Sequence, residues 1–318
     1  MKAQPRILVI GAGAMGSRHA RIVAFSGRAQ LTAVVDPRKE VGVALASQFS
    51  ADWLPEIPDD LSAIDGVIIA AATEAHYDLA MRVIASGVPL FLEKPLADDL
   101  DCAVEIVTES QRIGLPLMCG FVERFNPAVM TARALYEAPI HVTATRHSPY
   151  APRIMTGVGW DLLVHDVDLV LDVFGDAPGS VASFTGRYDT RSLPHAQDVA
   201  EVLLQFPSGG IAHISASRVS QRKVRSLWVH DVDKLVEVDL LRRNVTVYRN
   251  VTDRPADDEG RGYRQETIIE IPEIVSSREP LAEQFDHFVD LLEGIVDADV
   301  ERATILGAHR VVASVIRD

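Results

Sequence analysis

Gly11-Ala12-Gly13-Ala14-Met15-Gly16 follows directly on the apolar run Ile7-Leu8-Val9-Ile10 and opens a helical pattern near 15–26. A second apolar run, Leu31 to Val35, ends in Asp36. The order strand, glycine turn, helix, strand, acid is that of a dinucleotide-binding unit. Physical chemistry accounts for the spacing. The first two glycines let the backbone turn tightly and approach a pyrophosphate, the helix N-terminus faces that charge, and Gly16 lets helix and strand pack closely. Asp36 is then expected to accept hydrogen bonds from a ribose diol and to repel a 2′-phosphate. That favours NAD over NADP, with Arg38 as the neighbour that a 2′-phosphate would seek.

Outward from this loop, apolar runs at 31–36, 66–72, 89–93 and 116–121 alternate with amphipathic stretches near 38–48, 75–86 and 98–113. The alternation predicts a doubly wound parallel sheet with helices on both faces. Gly87, Gly114 and Pro116 stand just past helix ends, as stop signals do.

The texture changes after a helix near 126–137. A strand at 140–147 and a strongly apolar helix at 160–174, closed by Gly175, precede a series of alternating runs. Val199 to Phe206 and Ile211 to Ser217 flank Pro207-Ser-Gly-Gly210 and read as a hairpin. Further strands are predicted at 224–230, 234–240, 244–249 and 266–271, then helices near 279–294 and 300–316. The expected division is 1–120, a dinucleotide-binding domain, and 121–318, an α+β substrate-binding and oligomerisation domain, with the C-terminal helix able to fold back on the first.

Composition narrows the partners. A formal charge of −14 over 318 residues disfavours nucleic-acid backbones and anionic membranes, which repel an acidic surface. The first strand begins within about six residues of the start, and no apolar run approaches the ~20 residues that span a bilayer. A cytoplasmic protein is expected. Cys102 and Cys119 show neither metal spacing nor a disulfide pattern and read as packing residues, and no metal site is expected.

Three more stretches lie at strand ends or at the start of the second domain, where open α/β sheets bind ligands. They are Thr73-Glu-Ala-His76, Glu93-Lys94-Pro95, and Trp160-Asp161-Leu-Leu-Val-His165-Asp166. Together with the glycine loop, and in this order, they make the chain resemble the Gfo/Idh/MocA family of NAD(P)-dependent sugar and cyclitol dehydrogenases. Glu74 departs from the pattern, since many members carry proline after the threonine. Gly120-Phe-Val-Glu-Arg-Phe-Asn-Pro127 also resembles the E-R-F-N-P segment of members acting on UDP-N-acetylhexosamines.

The resemblance implies a Rossmann domain followed by an α+β domain with a large, mostly antiparallel open sheet, through which the chain forms a homo-oligomer, a dimer or tetramer. It implies Lys94, Asp161 and His165 as the catalytic set. The residue types suit alcohol oxidation: histidine as proton acceptor, aspartate at i−4 to pair with it, lysine to stabilise the developing alkoxide. Whether Lys94 or His165 formally takes the proton stays open. Against this stands a plain solvated stripe, because Asp161, His165, Asp168 and Asp172 share one helix face.

Expected cofactor contacts are the loop Gly11, Gly13, Ala14, Met15 and Gly16, then Asp36 and Arg38. Ala72, Thr73 and His76, with Glu93 and Lys94, complete them. Expected substrate contacts are Lys94, Trp160, Asp161 and His165, joined by Arg124, Asn126, Arg146, Tyr150 and Arg153, whose arginines suit a diphosphate. The expected reaction is oxidation of a secondary ring hydroxyl of a sugar or nucleotide sugar to a ketone, and the E-R-F-N-P resemblance points to C3 of a UDP-N-acetylhexosamine. The alternatives are a cyclitol, inositol or free-sugar dehydrogenase, an NAD-dependent glycosidase of the same architecture, and a non-catalytic dinucleotide-sensing regulator.

Overall fold

A computed structural model describes residues 4–151, 156–253 and 264–316. The described residues fall into two compact units, 4–122 with 279–313, and 123–278 with 314–316.

In the first unit, strands β1 (Arg6–Ile10), β2 (Gln30–Val35), β3 (Asp52–Leu54), β4 (Gly66–Ile69), β5 (Leu90–Leu92) and β6 (Leu117–Cys119) form a sheet in the order β3-β2-β1-β4-β5-β6. Every pairing is parallel. This is the strand order of a Rossmann sheet, with the reversal beside β1. Parallel strands covered on both faces must be apolar throughout, and the runs Ile7 to Ile10, Val67 to Ile69 and Leu90 to Leu92 are completely buried. The intervening helices are α1 (Ala14–Phe25), α2 (Lys39–Gln48), α3 (His76–Ala85) and α4 (Leu100–Arg112).

The second unit holds the short helix α5 (Pro127–Ala132), strand β7 (His141–His147) and helix α6 (Val164–Phe174). Its further strands are β8 (Ser180–Gly186), β9 (Val199–Gln205), β10 (Ile211–Ser217), β11 (Val224–His230), β12 (Lys234–Asp239), β13 (Asn244–Asp253) and β14 (Arg264–Glu270). They build an eight-stranded sheet in the order β14-β13-β12-β11-β7-β10-β9-β8. β7 and β10 run parallel, and the other described pairs are antiparallel. The hairpin expected at Pro207–Gly210 forms, with Gln205 opposite Ile211. Helix α6 covers one face of β7 and β10. The opposite face carries Phe184, Leu203, Ile211 and Trp228 at least partly exposed.

Helices α7 (Pro280–Leu292), α8 (Ala298–Ala303) and α9 (Leu306–Ile316) close the chain. In the first unit α7 packs on α1, with Phe288 edge-on to Phe91 of β5 at 5.6 Å. Arg28, just past α1, reaches Asp290 of α7 and Glu293 at that helix's C-cap, at 2.8 and 3.0 Å.

Several local expectations change. Strands β3 and β8 carry no clear alternation in the sequence: one is three residues long, the other is exposed along most of its length. The helix expected at 300–316 is two helices separated at Thr304 and Ile305. The helix expected to begin at Trp160 opens with a π turn over Gly159–Leu163 before α6 proper. A π turn places an extra residue in the ring and changes the angle at which Asp161 projects.

Candidate active site

The residues expected to hold the cofactor lie just past the carboxyl ends of β1, β2, β4 and β5. Gly11 turns the chain at φ +98°, and a Cβ there would meet Ala70 O at 2.6 Å. At Gly16 a Cβ would fall 1.7 Å from Gly11 O, so helix and turn are in backbone contact. Gly13 has open space above it and caps α1 without any side-chain hydrogen bond. The free N–H groups of the first helical turn and that open space fit a pyrophosphate. Ala14 and Met15 form the first turn of α1.

Asp36 leaves the end of β2 with its carboxylate buried. Oδ2 accepts from Ala12 N at 2.8 Å and from Arg38 Nη2 at 2.8 Å, and Oδ1 accepts from Arg38 N and Nε, each at 2.9 Å. These bonds, Arg38's side chain foremost, hold the carboxyl down at about 2, against the opposing effect of burial. The acid expected to meet a ribose diol is therefore charged and already engaged by Arg38.

Ala72 and Thr73 follow β4 in a short 3₁₀ turn. His76, expected beside the cofactor, is buried at the start of α3, with Nδ1 2.8 Å from Pro95 O and Nε2 3.3 Å from Ala71 O. Burial pushes its pKa below the ordinary value despite these carbonyls. Glu93, Lys94 and Pro95 follow β5 through a cis Lys94–Pro95 bond. Glu93 is buried, with Oε1 2.7 Å from His19 Nε2 of α1. A Cβ at Gly120 would lie 2.7–2.9 Å from Glu93, so glycine there makes room for that carboxylate. From Phe91 to Ala97, Lys94 is the residue whose side is open to solvent.

In the second unit, Asp161 lies in the π turn and His165 in the first turn of α6. Over residues 158–170 these two are half-buried and every other residue is buried. Of the other two acids on that helix face, Asp168 is buried and Asp172 is exposed. Asp168 is 4 % exposed and takes Arg124 Nε and Nη2 at 2.8 and 2.5 Å. Asp172 takes Arg133 at 2.8 Å.

Most of the residues expected to bind a substrate anion are otherwise engaged. Arg146 is 1 % exposed, with Nε and Nη2 on the two oxygens of Asp166 at 2.7 and 2.9 Å and Nη1 on Glu123 at 2.9 Å. Burial opposes its charge, and the two carboxylates more than offset that. A guanidinium buried between two carboxylates is a structural cation, so the expectation that Arg146 meets a phosphate is corrected. Asn126 likewise caps α5 through Oδ1 and donates Nδ2 to Glu123 and Leu240 O, each at 3.1 Å. Arg124 pairs with Asp168 as above. Tyr150 lies under the Arg191 guanidinium at 4.2 Å, Trp160 is buried, and Arg153 lies outside the described residues.

Sequence reasoning passed over Glu123, Asp166 and Arg225, whose Nη1 reaches Glu123 at 3.2 Å. Alternating burial in β7 and the acid inside an apolar helix were the available signals. It also passed over His19 and His309, both fully buried.

Comparisons with known proteins place the chain. The model of an oxidoreductase family with an NAD-binding Rossmann fold matches residues 5–121, and the Gfo/Idh/MocA C-terminal domain matches 128–231. UDP-N-acetylglucosamine 3-dehydrogenase of Acidithiobacillus ferrooxidans is 28% identical over 76% of this chain and 75% of its own. An inositol 2-dehydrogenase of Rhizobium meliloti is 31% identical over 67% and 68%. A solved structure of the Acidithiobacillus enzyme matches with a TM-score of 0.81 at 25% identity, covering 99% of this chain and 98% of that one. Among the described residues no helix is long and apolar enough to cross a membrane.

Proposed function

The chain belongs to the Gfo/Idh/MocA family of NAD-binding oxidoreductases, whose relatives oxidise sugar or cyclitol hydroxyls, and from that premise we propose that it oxidises a secondary ring hydroxyl of a UDP-N-acetylhexosamine, at C3, to the ketone. NAD supplies the hydride acceptor when bound. Gly13 leaves room for its pyrophosphate, Gly11 and Gly16 let strand, turn and helix pack closely beneath it, and Asp36 meets its ribose once Arg38 has moved aside. Lys94 stabilises the developing alkoxide, His165 takes the hydroxyl proton, and Asp161 orients and charges the imidazole. The supporting observation is exposure: Lys94 in 91–97, and Asp161 with His165 in 158–170, are the residues left open to solvent in otherwise buried stretches.

The UDP-sugar rests on the Glu123-Arg-Phe-Asn-Pro127 stretch and on the Acidithiobacillus relative. A cyclitol or free sugar is the second reading. It is favoured by the engagement of Arg124 and Arg146 with carboxylates, which reduces the cations offered to a diphosphate. We further read the face of the eight-stranded sheet bearing Phe184, Leu203, Ile211 and Trp228 as the surface of a homo-oligomer.

The deciding experiment incubates the protein and NAD with UDP-N-acetylhexosamines, free sugars and inositols and follows the absorbance of the reduced cofactor. Turnover confined to the UDP-sugars supports the reading, and turnover confined to inositols replaces it with the second. Release of nitrophenol from a nitrophenyl glycoside would instead reveal a glycosidase. Absence of turnover throughout, with NAD bound, would overturn both readings.

A further inference from the structure

Four consecutive residues, Glu93 to Leu96, are gripped by three histidines that come from three separate helices. His19 of α1, His76 of α3 and His309 of α9 are 0, 1 and 0 % exposed. His19 Nε2 lies 2.7 Å from Glu93 Oε1, His76 Nδ1 2.8 Å from Pro95 O, and Leu96 N donates to His309 Nε2 at 3.0 Å. We infer that these histidines form a cradle that positions Lys94. The inference rests on the reading of Lys94 as a catalytic group.

The chemistry of the three contacts differs, and at His309 and His19 the partners decide which nitrogen donates. His309 Nδ1 donates to Ile305 O at 2.9 Å, one turn back in its own helix, so Nε2 keeps the lone pair that Leu96 needs. Glu93 can only accept when ionised, so His19 is the donor through Nε2. His19 Nδ1 is buried with no hydrogen-bond partner among the described residues, so the bond to Glu93 is the one that orients the ring. Both ring nitrogens of His76 face carbonyl oxygens, and the shorter contact, 2.8 Å to Pro95 O against 3.3 Å to Ala71 O, makes Nδ1 the donor to Pro95. One donor acts on a carboxylate, one donor on a carbonyl and one acceptor on an N–H.

Lys94 therefore has anchors at the residue before it and at both residues after it. Its own N–H points to Glu93 Oε2 at 3.3 Å. The side chains of Glu93, Pro95 and Leu96 are all buried and that of Lys94 is not. A flexible four-carbon stem gains positional accuracy from a fixed Cα. A displacement on the order of 1 Å at a reacting group can cost about a hundredfold in rate.

The donor and acceptor pattern yields a crossed substitution test. Glutamine places its amide near the Nε2 position of histidine, asparagine near Nδ1. His309→Gln and His19→Gln keep the bond to 93–96, whereas His309→Asn and His19→Asn lose it. At position 76 the order reverses: His76→Asn keeps the bond and His76→Gln loses it. On the enzyme without substrate, hydrogen exchange at Leu96 N–H should quicken about tenfold or more in His309→Asn and stay near wild type in His309→Gln.

With the substrate that supports turnover, kcat should fall roughly tenfold to a hundredfold in each bond-losing variant, with KM for NAD within about threefold. Each bond-keeping partner should restore kcat to within about threefold. A purely structural role would track thermal midpoint and side-chain volume and would not reverse between positions 76 and 309. Asparagine and glutamine behaving alike at each folded position, or losses confined to KM, overturn the cradle. Three positions carry the same test, so a variant that fails to fold at one leaves the others to decide. Lys94→Ala separates the two ideas. If it retains turnover, the role of Lys94 fails. If it is inactive while the crossed pattern is absent, only the cradle fails.

Discussion

Arg146 and Asp166 face each other as a two-pronged ion pair, 2.7 and 2.9 Å between their atoms, with both side chains 1 % exposed. The pair joins the central strand β7 to helix α6, which carries His165. Glu123 completes the arrangement from the other side of the guanidinium. Breaking a buried pair by removing one partner typically costs about 3–5 kcal/mol, and removing Asp166 leaves Arg146 with Glu123 as its one carboxylate partner among those described. Asp166→Ala should therefore lower stability by that order in denaturant unfolding. Replacing both residues, Arg146→Met with Asp166→Leu, should cost far less than the sum of the single changes. Additive losses would show that the two side chains do not act as a pair.

The Rossmann unit was legible because its signals are local. The glycine loop, the acid at the end of β2 and the apolar runs each declare themselves within a few residues, and β1, β2 and α1 lie within about a residue of their expected positions. Strand β3 escaped because three residues carry too little periodicity. The amphipathic pattern of α7 announced a buried face but not what it packs on, since Arg28 and Asp290 are 262 positions apart. For the same reason Arg146 and Arg124 read as anion-binding residues. A sequence shows the cation, while Asp166 and Asp168 become partners only through the return of α6 across β7. The π turn at Gly159–Leu163 left no trace in residue type that periodicity could detect.

Arg38 holds the carboxylate that a ribose diol needs, so cofactor preference depends on the balance between two neighbours. NAD should bind more tightly than NADP in calorimetric titration, because Asp36 repels a 2′-phosphate. Asp36→Ser should weaken NAD by about tenfold, or roughly 1.4 kcal/mol, and narrow the gap. Arg38→Ala should widen it, since the cation nearest a 2′-phosphate is removed while Asp36 is released for the diol. Tighter binding of NADP by the unaltered protein would contradict this assignment.

His76 is buried with its pKa below the ordinary value, burial being the main cause; the carboxylates of Glu93 and Glu74 oppose it weakly. The folded protein thus takes up this proton at lower pH than the unfolded chain. The associated stability is present in full above about pH 6.5 and is lost as pH falls below it toward the folded value. The thermal midpoint should decline between pH 7.5 and 5.5 and decline less in His76→Asn, which cannot titrate. Parallel declines in the two proteins would remove His76 from the acid response.

Asp161 and His165 are four residues apart, yet they straddle the junction between the π turn and α6, so their cooperation has to be tested by energy rather than by spacing. If Asp161 serves His165, each single change, Asp161→Asn or His165→Ala, should lower kcat by about a hundredfold or more while NAD affinity holds. The double change should then cost little beyond His165→Ala alone, because an orienting group has no function once the ring it orients is absent. Steady-state kinetics on the four proteins, with calorimetric titration of NAD alongside, gives the coupling directly. Losses that multiply would mean that the two residues act separately. Near-normal turnover in His165→Ala would transfer the proton to Lys94 and leave the half-exposed pair as a solvated opening in a buried helix.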